Sequence, residues 1–249
     1  MSGHSKWATI KHKKGAADAA RGKLFAKLIR QVEVAAREGG SDLESNATLR
    51  TMYAKARSAS VPTDTIDRAV KRGTGELEGV RYEPVTYEGY APCGVAVFVE
   101  CLTDNRNRTG AEVRAIFSKN GGSSAEPGAV AWQFARKGVV VAAKTDDDDE
   151  LMLAALEAGA EDMDDQGDTW QVTTPPSDLA RVRAALEDAG VRVESADLTM
   201  LPTTTVDLES EADARKVLRV VDALEDHDDV QAVYANFDIP DSVLQVVEA

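Results

Sequence analysis

Near residue 80 the spacing of apolar side chains changes, and this restricts the chain to a helical lobe followed by mixed α/β lobes. Over residues 16–38, Leu24, Phe25, Leu28, Ile29, Val32 and Ala36 recur three and four positions apart, which predicts one helix ended by Gly39-Gly40. A second helix is predicted over 45–60, burying Leu49, Met52, Tyr53 and Ala56, until Val61-Pro62 stops it by removing a donor and restricting the preceding residue. The third follows a Thr63 or Asp64 cap, buries Ile66, Ala69 and Val70, and ends at Gly73. Three short helices make one small bundle, and GTGELEG at 73–79 reads as a hinge-like linker.

Beyond the linker the pattern turns to alternation and β-branched runs. Strands are predicted at 84–88 and 95–101, a helix at 108–119 and a strand at 129–134, a β-β-α-β order. Residues 138–201 continue as strand (GVVVAA), helix (147–158), strand (TWQVTT), helix (177–189) and a last strand from Val191. The closing helix at 209–226 and strand at 230–237 are too small to bury their own faces, so they are expected to return to the sheet begun at residue 84. The fold class is therefore α+β: an N-terminal three-helix bundle with a basic arm, then two ferredoxin-like α/β sandwich domains, the middle one discontinuous. The expected divisions are 1–79, 80–137 plus 203–249, and an inserted 138–202.

Charge is divided along the same line. The 249 residues carry 29 Lys+Arg and 43 Asp+Glu, a net of −14 that does not suit a polyanion binder. Residues 1–72, however, hold 15 basic and 7 acidic side chains, a net of +8, which leaves −22 on the rest. Such asymmetry points to a nucleic-acid contact confined to one lobe and excludes a duplex wrapped around the whole protein. An apolar content of 43% excludes wholesale disorder. No run of 18 apolar residues and no secretory apolar segment occurs, so a soluble cytoplasmic protein without a membrane partner is expected. Cys93 and Cys101, eight apart, are neither a C-x-x-C pair nor half a zinc site, and read as reduced thiols.

The chain lacks G-x-x-x-x-G-K-[ST], H-E-x-x-H and G-x-S-x-G, and Gly73, Gly75 and Gly79 miss the dinucleotide spacing. Of three histidines, His4 and His12 lie near the N-terminus and His227 in an acidic loop, which brings no nucleophile, base and orienter together. No enzyme activity, catalytic residue, cofactor, metal or small-molecule substrate is expected. The run Asp146 to Asp149 with Glu150 lacks the alternation of a Ca²⁺ loop and suits a helix N-terminus. GGSSAEPG at 121–128 has turn composition and the capacity to cradle an anion through backbone amides. Arg106 and Arg108 in TDNRNRTG suit either the helix start or a phosphate.

Residues 1–15 bury too little apolar surface to fold alone and are expected to form a mobile arm. Lys6, Lys11, Lys13 and Lys14 supply phosphate neutralisation there, while Trp7 and His12 supply stacking planes. On the first helix Lys23, Lys27, Arg30 and Arg37 fall opposite the apolar stripe, extending the arm as a cationic ridge.

GHSKWATIKHKK, then Asp18, Arg21, Lys23, Phe25 and Lys27, VKRGTG, YEGYAPCGVAVFVE, LTDNRNRTGAEVRAIFSKNGG and GAVAWQFARKG resemble the YebC family, which includes the mitochondrial translational activator of cytochrome oxidase. The resemblance spans nearly the whole chain. It implies three domains, a helical bundle and two α/β domains, and carries over the arm and first helix, Arg21 included, as the nucleic-acid face. Ala91 and Cys93 stand where the family turn would carry glycines, and EPG at 126–128 replaces a more usual acidic-Thr-Gly. Family members are cytoplasmic DNA-binding transcriptional regulators, and others are ribosome-associated factors that ease synthesis of proline-rich peptides.

Two readings follow for a non-enzymatic regulator of gene expression. Duplex DNA would use Arg50, Arg57, Arg68, Lys71 and Arg72 for backbone contacts, with few Asn or Gln for base edges. Ribosomal RNA would use the arm, whose ring and lysines suit irregular backbone and single-stranded bases. An acidic protein-interaction scaffold is the third alternative. The nucleic-acid readings require a cationic front third held apart from the acidic body.

Overall fold

The computed structural model describes residues 18–145, 148–240 and 243, with the side chains of 18–21 outside that description. The helical lobe comprises α1 (Asp18–Gly39), α2 (Ala47–Ser58) and α3 (Thr63–Thr74). Leu28, Val32, Ala35 and Ala36 of α1 close on Leu49 and Ala56 of α2 and on Val61, Ile66 and Ala69, with Phe25 and Ile29 half-buried against them, so the expected stripe is the core except at Leu24, which is exposed. Asn46 joins the first two helices. Its side-chain oxygen accepts from Leu49 N at 2.9 Å as the cap of α2, while its amide donates to Ala35 O at 2.9 Å and Gly40 O at 2.8 Å.

Two details of the third helix differ from expectation. Pro62 takes the cap position without a side-chain bond, and Thr63 is already helical. The helix also runs through Gly73 to Thr74 and ends at Gly75, whose φ of 85° is the left-handed closing conformation. Gly73 belongs to the packing: a Cβ there would lie 2.4 Å from Glu33 O and 2.8 Å from the Ala36 Cβ. The link to the rest of the chain thus starts at Gly75.

The first sheet has the order β3-β1-β2-β9 and is antiparallel throughout: β1 is Glu83–Tyr90, β2 Ala96–Thr103, β3 Ser123–Ala125 and β9 Val230–Ala235. The C-terminal strand therefore pairs with β2, some 130 residues away in sequence. Val95, Val97, Val99 and Cys101 face α4 (Arg106–Lys119) and α7 (Glu211–Glu225), whose Val113, Phe117, Val217, Val221 and Leu224 complete a core. Ala96 and Phe98 point the other way, onto Val130 and Phe134. Two more short strands, β8 (Val206–Asp207) and β10 (Phe237–Asp238), pair in parallel beside this sheet.

The second sheet, β5-β6-β4-β7, contains β4 (Phe134–Ala143), β5 (Asp162–Asp165), β6 (Thr169–Thr174) and β7 (Val193–Pro202), with α5 (Asp148–Glu157) and α6 (Leu179–Asp188) between them. Its β-α-β-β-α-β sequence and antiparallel pairing are ferredoxin-like. Three expectations are corrected here. The strand predicted at 129–134 is a turn with a 3-10 helix, Ala131–Gln133, leading into β4. β4 runs unbroken to Ala143, so the boundary expected at 137/138 falls inside a strand. β5 was not predicted, because three carboxylates in four residues oppose strand propensity, and only its place at a sheet edge accommodates them.

Candidate nucleic-acid interface

Lys6, Trp7, Lys11, His12, Lys13 and Lys14 lie outside the described residues, as does the side chain of Arg21. Lys23, Lys27, Arg30 and Arg37 do lie along one face of α1, but that face is occupied. Lys23 Nζ donates to Asp226 O at 3.2 Å and Oδ1 at 2.8 Å, and Lys27 Nζ to Glu225 O at 2.7 Å. Arg30 Nη1 donates to Asp228 O at 2.6 Å and Asp229 Oδ1 at 2.9 Å, and its guanidinium lies 5.0 Å from the centre of the Tyr82 ring. Arg37 donates to Val80 O at 3.3 Å and Tyr82 O at 3.5 Å, tying down the link between lobes. The expected separation of a cationic front from an acidic body is therefore corrected: in this arrangement the ridge grips the loop after α7.

That loop, 226–229, carries three aspartates and His227 and borders a cleft of about 670 Å³ between the lobes. Asp229 is its anchor. Its side chain is only 4% exposed and accepts from Thr109 Oγ1 at 2.7 Å and Arg108 Nη2 at 2.7 Å besides Arg30. Burial alone would raise its carboxyl, but these donors and the two guanidinium charges outweigh that and hold it below the usual carboxylate range. The same Asp229 charge adds to burial in pushing the nearby Cys101 thiol up to about 12, so Cys101 is an inert core group. Arg108 thereby settles into an ion-pair network with Asp104 and Asp229, and Arg106 stands 3.9 Å from Glu83.

Glu112, His227 and Asp229 bring one ligand atom each within 4.8 Å of one another. Most of these atoms have partners within the protein: His227 Nε2 lies 2.8 Å from Glu112 Oε2, its Nδ1 accepts from Asp229 N at 3.1 Å, and Asp229 holds Arg30, Arg108 and Thr109. The cation held by this cluster is a guanidinium. The anion cradle read at 121–128 exists in part, and its anion is the protein's own. Glu88 accepts from Gly128 N at 2.6 Å, Val130 N at 2.6 Å and Ala131 N at 2.9 Å.

Among the five cations considered for a duplex, Arg50 donates to Leu43 O and Glu44 O, Arg57 to Thr63 Oγ1, and Arg72 to Glu33 Oε2. Arg68 and Lys71 on α3 are exposed, and no ion pair involves them among the described residues. Three positions apart on a helix, they share one outward face. The helical lobe's two amide side chains in the described segment have partners within the protein, Gln31 in Gln231 at 3.3 Å and Asn46 in its caps. The partnership of the ridge with 226–229 was missed in sequence because about 200 residues separate them; the only signal was the acidic run itself.

Set beside known proteins, residues 5–76 match the family model described as the TACO1/YebC protein N-terminal domain, and residues 82–237 that of the TACO1/YebC second and third domain. A probable transcriptional regulatory protein of Acidothermus cellulolyticus is 57% identical, over 99% of this chain and 100% of its own. One from Mycolicibacterium smegmatis is also 57% identical, over 98% of this chain and 97% of its own. The crystal structure of a conserved hypothetical protein, Aq1575, from Aquifex aeolicus is 48% identical with a TM-score of 0.84, covering 97% of this chain and 100% of that one.

Proposed function

This chain belongs to the TACO1/YebC family, and from that premise we propose that it is a non-enzymatic regulator of gene expression that binds nucleic acid through its helical lobe. The names of its relatives support the regulatory role. The observation that carries the binding role is the pair Arg68 and Lys71, exposed and with no ion-pair partner among the described residues, on a lobe whose first 72 residues carry +8, against a body that repels phosphate. The arm, with Lys6, Trp7, Lys11, His12, Lys13 and Lys14, and Arg21 beside it complete the proposed contact surface, and the ridge of Lys23, Lys27, Arg30 and Arg37 joins it only when it leaves the oxygens that hold it. The division into 1–79, 80–137 plus 203–249, and 138–202 stands in this proposal with its internal boundary moved to the start of β4.

A second reading has its own support. With Asn46 consumed by its caps, the described helices of the helical lobe offer only Gln31 as an amide for adenine edges, so recognition falls mainly to backbone charge and shape. That favours a structured RNA, such as that of the ribosome, over a specific operator. Affinity for either polymer should fall with salt, each neutralised phosphate contributing about −0.9 to the log–log slope on duplex and about −0.7 on single strands. Replacing Arg68 and Lys71 by Ala should make the slope shallower by about 1.5. An unchanged slope removes α3 from the interface, and a flat response in the parent protein removes the mechanism. Sedimentation of lysate at low and high salt then separates the readings, by travel with ribosomes or with DNA.

A further inference from the structure

We infer that the α1 ridge and the loop 226–229 form an autoinhibitory latch, in which the body's own oxygens occupy cations that a polyanion would otherwise take. The inference rests on the nucleic-acid reading above and names its regulation. The ligand chemistry is the same on both sides. Glu225, Asp226 and Asp228 present main-chain oxygens at 2.7, 3.2 and 2.6 Å from Lys27, Lys23 and Arg30, at the C-terminal end of α7. A helix end of this kind leaves carbonyl groups without intrahelical partners and gathers partial negative charge. A row of such oxygens met by three cations copies a stretch of phosphate backbone. The ridge cannot hold both at once.

The latch is built to open. Asp229 keeps Thr109 and Arg108 when Arg30 leaves, so release strands no buried carboxylate. Asp226, 77% exposed, is screened by water and salt. The apolar core of the helical lobe is a cluster of its own, with no member from the body, so the seam consists of contacts such as these, Lys55 with Asp197 at 2.5 Å and Gln31 with Gln231. The link is exposed from Gly75 to Arg81 and is fastened to α1 through the Val80 and Tyr82 carbonyls that Arg37 holds, so a swing of the lobe pivots beyond these bonds or breaks them. A polyanion that prefers the open state shifts the population toward it.

The test is fluorescence anisotropy with a polyuridylate oligonucleotide of about 20 nucleotides, applied to the full chain and to two variants. Asp226→Lys faces Lys23 across the seam; Asp188→Lys makes the same charge change at the exposed last residue of α6, which pairs with no residue of the helical lobe among the described residues. If the closed state lowers the competent fraction, Asp226→Lys should bind about fivefold tighter than Asp188→Lys. Without oligonucleotide it should also show the larger radius of gyration by X-ray scattering. Equal affinities of the two variants overturn the latch while leaving nucleic-acid binding intact. No binding by any of the three overturns the nucleic-acid reading itself, and the inhibitory role with it.

Discussion

Glu88 shows how one side chain fixes a loop. Alternation along β1 places it on a sheet face, where it is buried and collects three backbone N–H groups of the turn at 128–131. Burial would raise its carboxyl, but the three donors prevail and hold it below the ordinary value. A depressed folded value means that this stabilisation is complete above the unfolded pKa, about 4.3, and is lost as pH falls through the folded one. Thermal midpoints followed from pH 7 to about 2 should drop below about pH 4 in the parent protein. In Glu88→Gln the drop should be shallower, from a start lower by about 2 kcal/mol, since an amide cannot accept all three bonds. An equally steep acid limb in the variant would place the sensitivity elsewhere. Cys93 carries a related lesson: its φ of 65° is glycine-like, which fits the glycine expected at that turn.

At the scale of elements, α1 and α2 are joined, besides their shared apolar core, by one amide. Asn46 caps the start of α2 and closes the end of α1, with Gly39 leaving the space: a Cβ there would sit 2.5 Å from Asn46 Nδ2. Asn46→Ala strands three backbone groups and should lower the unfolding free energy by about 2–3 kcal/mol in urea titrations. Asn46→Asp, which keeps only the acceptor, should fall between; a loss below about 0.5 kcal/mol in the alanine variant would show that water replaces the amide. The helices themselves were legible, because their apolar spacing survives at any boundary error. The strand predicted at 129–134 was not formed, because β-branched and aromatic composition there serves a turn whose amides answer Glu88. Edge strand β5 was invisible for the opposite reason, its acidic composition being tolerated by position alone.

For the whole molecule, the decisive feature is that a cationic lobe meets an acidic one through polar contacts while their apolar cores stay separate. Raising salt from about 0.1 to 1 M shortens the screening length from about 10 to 3 Å. The radius of gyration should grow over that range while far-ultraviolet circular dichroism stays constant, as a hinge opens without helix loss. Constant dimensions would mean that the seam is held by something other than charge. No helix among the described residues is long and apolar enough to cross a membrane.

The order of amino acids by itself determined the helical front, the mixed sheets behind it, the return of the last strand and the division of charge, because periodicity and composition are local quantities that accumulate along the chain. It did not determine where the positive ridge of α1 would spend its charge. That was decided when folding brought Lys23, Lys27 and Arg30 to the end of α7 some 200 residues later. Electrostatic partners are chosen by distance in space, and a sequence records only distance along the chain.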